Sequence, residues 1–240
     1  PLMSSSFTPG QAQATVNSFQ DKGQRQIAQA ELYYFSARAE ECKDIAELYL
    51  QDKDIYLRLS AGLLYSFSNL TLGNPAAAKM GFRNIQECLH QTEQNPSSNE
   101  AMAMVLMHLP TDKLPPLRDF LPYLPAGLRA YGIYVLAHNA YLHEEYANAL
   151  GLCQSVFLML DGCYPIAMEY LYCVIIMSLV NQKKENEAKD VLMTAWNIAK
   201  ADGFLEPFIE HHGLMLGQIE ACIKPTEPEL YKQLSQAVIA

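Results

Sequence analysis

Apolar residues recur along this chain at helical spacing. In 188–199, Ala188, Val191, Leu192, Ala195, Ile198 and Ala199 fall at i, i+3, i+4, i+7, i+10 and i+11, which is one face of a helix. Ala149, Cys153, Val156 and Leu160 repeat the pattern in 149–160. Alternating Val/Thr/Ile runs closed by Asn-Gly or Asp-Gly, the signature of strands and hairpins, do not occur. Breakers cut the chain into helix-sized pieces: GNP at 73–75, NPSSN at 95–99, LPTDKLPP at 109–116, LPAG at 124–127, DGCYP at 161–165 and KPTEP at 224–228. A proline suits the first turn of one helix and ends the helix before it. These breaks predict helices at 11–22, 24–51, 54–72, 75–94, 98–108, 116–122, 127–143, 145–161, 165–182, 184–202, 205–223 and 227–238. No breaker has the length of a linker. The pattern therefore predicts an all-α chain forming a single continuous domain over 1–240, with N-terminal helices in 1–53 and helical repeats over 54–240 in the same array.

Several pieces form similar pairs. Helices 54–72, 127–143 and 165–182 are each followed by a short polar or turn stretch and a second helix. That second helix carries a small residue (Ala78, Ala149, Ala188), then Phe82, Cys153 and Leu192 four later, and Ile85, Val156 and Ala195 seven later. A small residue lets two helices approach, and larger ones fill the groove beside it. This is the packing logic of tetratricopeptide-like hairpins. The predicted fold is a right-handed superhelix of such antiparallel hairpins, diverged in spacing, because Ala149 and Ala188 lie 39 residues apart against ~34 in the standard repeat. A generic helical bundle is the alternative.

The stretch IAKADGFLEPFIEHHGLMLGQIEAC at 198–222 resembles a junction in large LuxR-type bacterial regulators, the class of the maltose-regulon activator. There an Ala-rich helix end, a Gly and an aromatic precede a Pro-Phe helix start. The matching residues are Ala199, Gly203, Phe204, Pro207 and Phe208. The stretch KDIYLRLSAGLLYSFSNLTLGNPAAAKMGFRNI is similar to that family's repeats, and the likeness covers 54–240. The resemblance implies a sensor or assembly region that signals to a DNA-binding helix-turn-helix domain outside this chain. The start PLMSSSFTPG lacks an initiator Met and the make-up of a signal peptide, in keeping with a piece of a longer protein.

Composition narrows the partners. With 17 basic and 26 acidic residues the formal charge is −9, so direct nucleic-acid binding by this chain is not expected. The apolar run LYCVIIMSLV is about half the length of a membrane helix and predicts a buried helix. Six cysteines without a C-x-x-C pair read as reduced, buried thiols of a cytoplasmic protein. No phosphate-binding loop, nucleophile elbow or H-E-x-x-H motif occurs, so neither an enzyme nor a cofactor is expected. Adjacent His211 and His212 point about 100° apart on a helix, and no metal site is read there. Gly203 is expected to end one helix, and Pro207 with Glu206 to open the next.

The candidate site is an aromatic stripe. First helices of tetratricopeptide hairpins line the concave side, and that phase places Tyr131, Tyr134, His138 and Tyr141 there. In the next pair it gives Tyr170, Cys173 and Met177, and in the earlier one Leu63, Phe67 and Leu70. Such a groove suits a small effector or a partner protein; the competing reading makes the rings plain core. The expectation is a non-enzymatic sensor domain, with homodimerisation open. A stand-alone protein-binding scaffold is the first alternative, and a helical enzyme the second.

Overall fold

A computed structural model describes residues 1–91, 102 and 116–239. Among the described residues all regular structure is helical: α1 (Ala12–Ser18), α2 (Lys22–Phe35), α3 (Ala39–Glu47), α4 (Ile55–Thr71), α5 (Pro75–Gln91), α6 (Leu117–Phe120), α7 (Ala126–Leu142), α8 (Tyr146–Met159), α9 (Pro165–Asn181), α10 (Glu185–Ala199), α11 (Glu206–His211), α12 (Gln218–Thr226) and α13 (Pro228–Ile239). The helix predicted at 98–108 lies outside the described residues, apart from Met102. No described helix is long and apolar enough to cross a membrane.

Local chemistry sets the helix starts. The Asp21 carboxylate accepts the Gln24 N–H at 2.8 Å, and Asp54 accepts that of Tyr56 at 2.8 Å, so each acid satisfies a donor with no helical partner. Pro165 occupies the first turn of α9, where its missing N–H goes unneeded.

Four pairs, α2–α3, α4–α5, α7–α8 and α9–α10, are joined by turns of one design. The turns are Ser36-Ala37-Arg38, Leu72-Gly73-Asn74, His143-Glu144-Glu145 and Gln182-Lys183-Lys184. The middle residue is left-handed in each, with φ of 58° at Ala37, 70° at Gly73, 63° at Glu144 and 61° at Lys183. Its N–H returns to the carbonyl three residues back (Tyr34, Leu70, Tyr141, Val180), and the next N–H to the carbonyl five back (Tyr33, Asn69, Ala140, Leu179), at 2.7–3.0 Å. This is the Schellman arrangement, which satisfies the last carbonyls of the first helix. A three-residue reversal folds the second helix back along the first. Five residues after each left-handed residue stands a small, buried one: Cys42, Ala78, Ala149 or Ala188.

The α2–α3 pair corrects the sequence reading, which ran one helix through 24–51. The break falls at Ala37, a residue type that rarely turns left-handed, and its small anchor is a cysteine. The predicted helix 205–223 is also two helices. A 3₁₀ turn at His212–Met215 and two left-handed residues, Leu216 and Gly217, separate α11 from α12.

In neighbouring pairs the first helix of the later pair packs on both helices of the earlier one: α4 on α2 and α3, and α9 on α7 and α8. Close approach between α4 and α5 depends on Gly62 and Gly81. A Cβ at Gly62 would lie 2.6 Å from Ile85 Cγ1, and one at Gly81 2.5 Å from Ser66 Oγ. The N-terminal segment meets the later helices. The Leu205 N–H donates to the Phe35 carbonyl at 2.8 Å, and the Phe7 N–H to that of Cys163 at 2.9 Å. Asp202 accepts the N–H groups of Gly10 and Ala12 at 2.7 and 2.9 Å. The first helices of all four pairs, α11 and the N-terminal arm thus surround a common interior.

Candidate functional site

That interior holds a cavity of about 440 Å³. Each first helix contributes: Tyr34 from α2, Leu63 and Phe67 from α4, Tyr131 and Tyr134 from α7, and Tyr170 from α9. Spacings of three and four residues keep each helix's contributors on one face. The rings form a continuous cluster. Tyr134 lies 5.1 Å from Tyr131 and 4.8 Å from Tyr170, and Phe35 meets Tyr170 edge-on at 6.2 Å.

The short helix α11 adds Glu210 and His211 to this wall. Pro207 and the tight turn at Gly203, with φ 74°, aim this short helix at the cavity. Phe204 anchors it against Phe7 and Phe35, and Phe208 packs on Trp196. Glu210 Oε1 accepts the Tyr34 hydroxyl at 2.6 Å and that of Tyr170 at 3.1 Å. Glu210 is exposed by surface area yet lies deep within the protein, because its open surface faces the cavity. Burial lifts its carboxyl to about 7, and the two tyrosine hydrogen bonds offset part of that lift.

His211 is buried with both ring nitrogens engaged. Nδ1 is 2.7 Å from the Pro207 carbonyl, which can only accept, so Nδ1 carries the proton. Nε2 then accepts the Tyr134 hydroxyl at 3.1 Å. Burial, with His138 nearby, lowers His211 to about 4, so the ring is neutral at pH 7. His212 turns elsewhere, with Nε2 2.8 Å from Glu220. Among the described residues no group of three or more metal-ligating side chains converges.

One turn back, Glu206 stands in the first turn of α11, as expected, and is buried at 1% exposure. It accepts the Thr71 hydroxyl at 3.2 Å through one oxygen, and no partner is recorded for the other. Burial and then the Glu210 charge push its carboxyl to about 8. On the far side of the cavity Glu31 accepts the N–H groups of Leu2 and Met3.

Of the residues predicted for the site, Tyr131, Tyr134, His138 and Tyr170 line the cavity, as do Leu63, Phe67 and Leu70 from the earlier pair. Tyr141, Cys173 and Met177 do not. Tyr141 lies one turn further along α7, against Tyr146, where it accepts a hydrogen bond from Asn181 at 3.1 Å. Cys173 and Met177 are fully buried in the body of α9, and the Cys173 thiol points to the Pro207 carbonyl at 3.6 Å. Sequence reasoning missed Tyr34, Phe35 and Thr71, and it set Glu210 and His211 aside as structural. The dense run of polar and aromatic residues at 204–212 was the signal that could have found α11. Comparison with family models, with curated proteins and with solved structures finds no match for this chain.

Proposed function

We propose that the chain is a ligand-sensing helical-repeat domain: tetratricopeptide-like hairpins in a right-handed superhelix, curled around a small-molecule cavity. In this proposal it serves a larger LuxR-type regulator and passes ligand state to a DNA-binding domain outside residues 1–240. One observation carries the sensing reading. A single cavity is walled by first helices of four hairpins and by the short helix that ties the end of the array back to α2. Each repeat touches mainly its neighbours, so a ligand gripping several repeats at once biases their relative packing. A cavity of this volume lies in the range of small-molecule sites, about 300–1,000 Å³. A half-open cavity of this size with a largely apolar lining fits a small effector.

A second reading is favoured by Glu210, whose carboxyl titrates near neutrality on a cavity wall, as a general acid–base group should. Against it stands the local chemistry. Glu210 spends one oxygen on two tyrosines, and the neutral His211 has both nitrogens occupied, so His211 is not free to relay a proton to or from Glu210.

Thermal melting against a library of small amphipathic molecules tests the proposal. A hit at a hundred times its Kd should stabilise the chain by about 2.7 kcal/mol, and Leu64→Trp, which fills the cavity, should abolish the shift. Hits insensitive to Leu64→Trp, or binding confined to long peptides, would overturn it. Turnover of a hit would favour the enzyme.

A further inference from the structure

The chemistry of the cavity wall selects among ligands. Among the described residues no lysine or arginine lines it. Its carboxyl groups are Glu31, which is ion-paired with the Pro1 ammonium at 2.9 Å and receives the N–H groups of Leu2 and Met3, and Glu210. No recorded ion pair among the described residues involves Glu210 or Glu206 behind it. Both tyrosine hydroxyls on Glu210 reach the same oxygen, Oε1. A carboxylate has a second oxygen with which to meet a donor on a ligand. Around this group stand the faces and edges of Tyr34, Tyr131, Tyr134 and Tyr170.

From this juxtaposition we propose that the cavity takes an organic cation, a protonated amine on an aromatic or alkyl body, with Glu210 as its carboxylate partner and the tyrosine rings around its charge. The inference rests on the cavity being a ligand site. Two terms favour a cation. A buried carboxylate without a counter-charge is costly, and an ammonium at hydrogen-bonding distance relieves that cost. Aromatic faces attract a cation, most strongly where water is excluded. The apolar wall of α4, with Leu63, Leu64 and Phe67, takes the ligand's body. An anion finds no lysine or arginine on this wall and is repelled by Glu210, and the one ammonium there, that of Pro1, is already paired with Glu31. A neutral molecule of equal shape gains the burial and forgoes both charge terms.

Three probes of matched shape test this: tryptamine (cation), tryptophol (neutral) and indole-3-acetate (anion), titrated calorimetrically at pH 7.5 into the wild-type chain, Glu210→Gln and Leu64→Trp. Wild type should bind tryptamine about tenfold or more tighter than tryptophol, which is about 1.4 kcal/mol, and indole-3-acetate weakest. Glu210→Gln should bring tryptamine to within about twofold of tryptophol and leave tryptophol unchanged. Leu64→Trp should lose both. If wild type binds tryptophol as tightly as tryptamine and Leu64→Trp loses both, the cation is wrong and the cavity stands. If no probe binds wild type, both proposals fall. The wild-type pair alone decides the point should Glu210→Gln not fold.

Discussion

The four hairpin turns and the junction at 200–217 are both bends between helices, built in opposite ways. Each hairpin turn reverses the chain in three residues, with one left-handed residue and the same two backbone hydrogen bonds. The junction takes eighteen residues and holds a left-handed glycine at 203, six residues of α-helix, a 3₁₀ turn and two further left-handed residues. Hairpin turns expose their side chains and repeat the geometry that stacks helices. The junction buries Phe204, Glu206, Phe208 and His211 and delivers Glu210 to the cavity. Regular bends thus build the wall, and the irregular one adds Glu210 and His211 to it. The division follows from the backbone: a long helix in a stack offers one stripe to the interior, whereas a short helix docked end-on can present consecutive residues there.

The largest expected effect lies where wall and junction meet. Tyr134 is 2% exposed and hydrogen-bonds His211. Tyr134→Ala should cost about 3–5 kcal/mol, as large aromatic truncations do. Tyr134→Phe keeps the ring but leaves His211 Nε2 without a donor, and should cost about 1–3 kcal/mol. Chemical denaturation measures both. Equal, small losses would mean that the junction is not held by this contact.

Next comes pH, which acts through buried carboxyls: Glu206 and Glu210 at the junction, and Glu169 in α9, which burial and then the Asp202 charge hold well above the usual carboxylate range. Glu206, pushed up to about 8, keeps its proton in the fold where the unfolded chain, with an ordinary value near 4.5, has lost it. Its contribution is complete below about 4.5 and drains away as pH rises through about 8. Glu210, lifted to about 7, acts in the same direction. His211, depressed to about 4, acts in the opposite sense but only between about 4 and 6.5, so the decline from pH 6.5 to 8.5 belongs to the carboxyls. Glu206 alone should account for roughly 2–4 kcal/mol over the whole rise, and Tm should fall by several degrees between pH 6.5 and 8.5. Glu206→Gln should flatten part of that slope, with Glu210 and the buried Glu169 carrying the rest. A wild-type Tm constant over the interval would remove the buried-acid account of the junction.

Legibility in the sequence follows the same division. Tyr131, Tyr134, His138 and Tyr170, with Leu63, Phe67 and Leu70, were readable because long helices keep a phase and the small residues Ala78, Ala149 and Ala188 fix it. Cys173 and Met177 were misplaced because α9 is buried almost all round, so its periodicity does not say which face meets a cavity. Tyr141 keeps the phase of Tyr134 but lies a turn past the cavity's end. The turn at Ala37 carried no glycine or proline to mark it. Glu210 and His211 were read as structural because their burial depends on closure of α11 against α2, some 170 residues away in sequence, and no local pattern records such a contact.

Overpacking the hairpin seam should have a middling effect. Ala149 and Ala188 are fully buried at equivalent places, and phenylalanine at either should cost about 1–3 kcal/mol. Exposed Asn197, on the outer side of α10, serves as control: Asn197→Phe should melt within about 0.5 kcal/mol of the parent. If the two alanine variants also melt like the parent, the pairs do not share one packing rule.

The smallest effect tests whether the four hairpin turns are one device. Their middle residues have nearly equal φ, yet only Gly73 is free of the steric penalty that a Cβ brings to the left-handed region. Glu144 and Lys183 are exposed and Ala37 is half-buried, so replacing them removes little packing. Glycine relieves strain of about 1 kcal/mol but adds freedom to the unfolded chain, which takes back part of the gain. Ala37→Gly, Glu144→Gly and Lys183→Gly should each therefore stabilise by about 0.5 kcal/mol. Gly73→Ala, where a Cβ would meet nothing within 4 Å, should destabilise by about 1 kcal/mol through backbone strain alone. The sites are far apart, so the three glycine gains should add. Urea midpoints of the single variants and the triple variant measure this. Matching signs at Ala37, Glu144 and Lys183 with the opposite sign at Gly73 would tie the α2–α3 pair, the one sequence periodicity missed, to the same repeat as the others. A destabilised Ala37→Gly would instead detach that pair from the array.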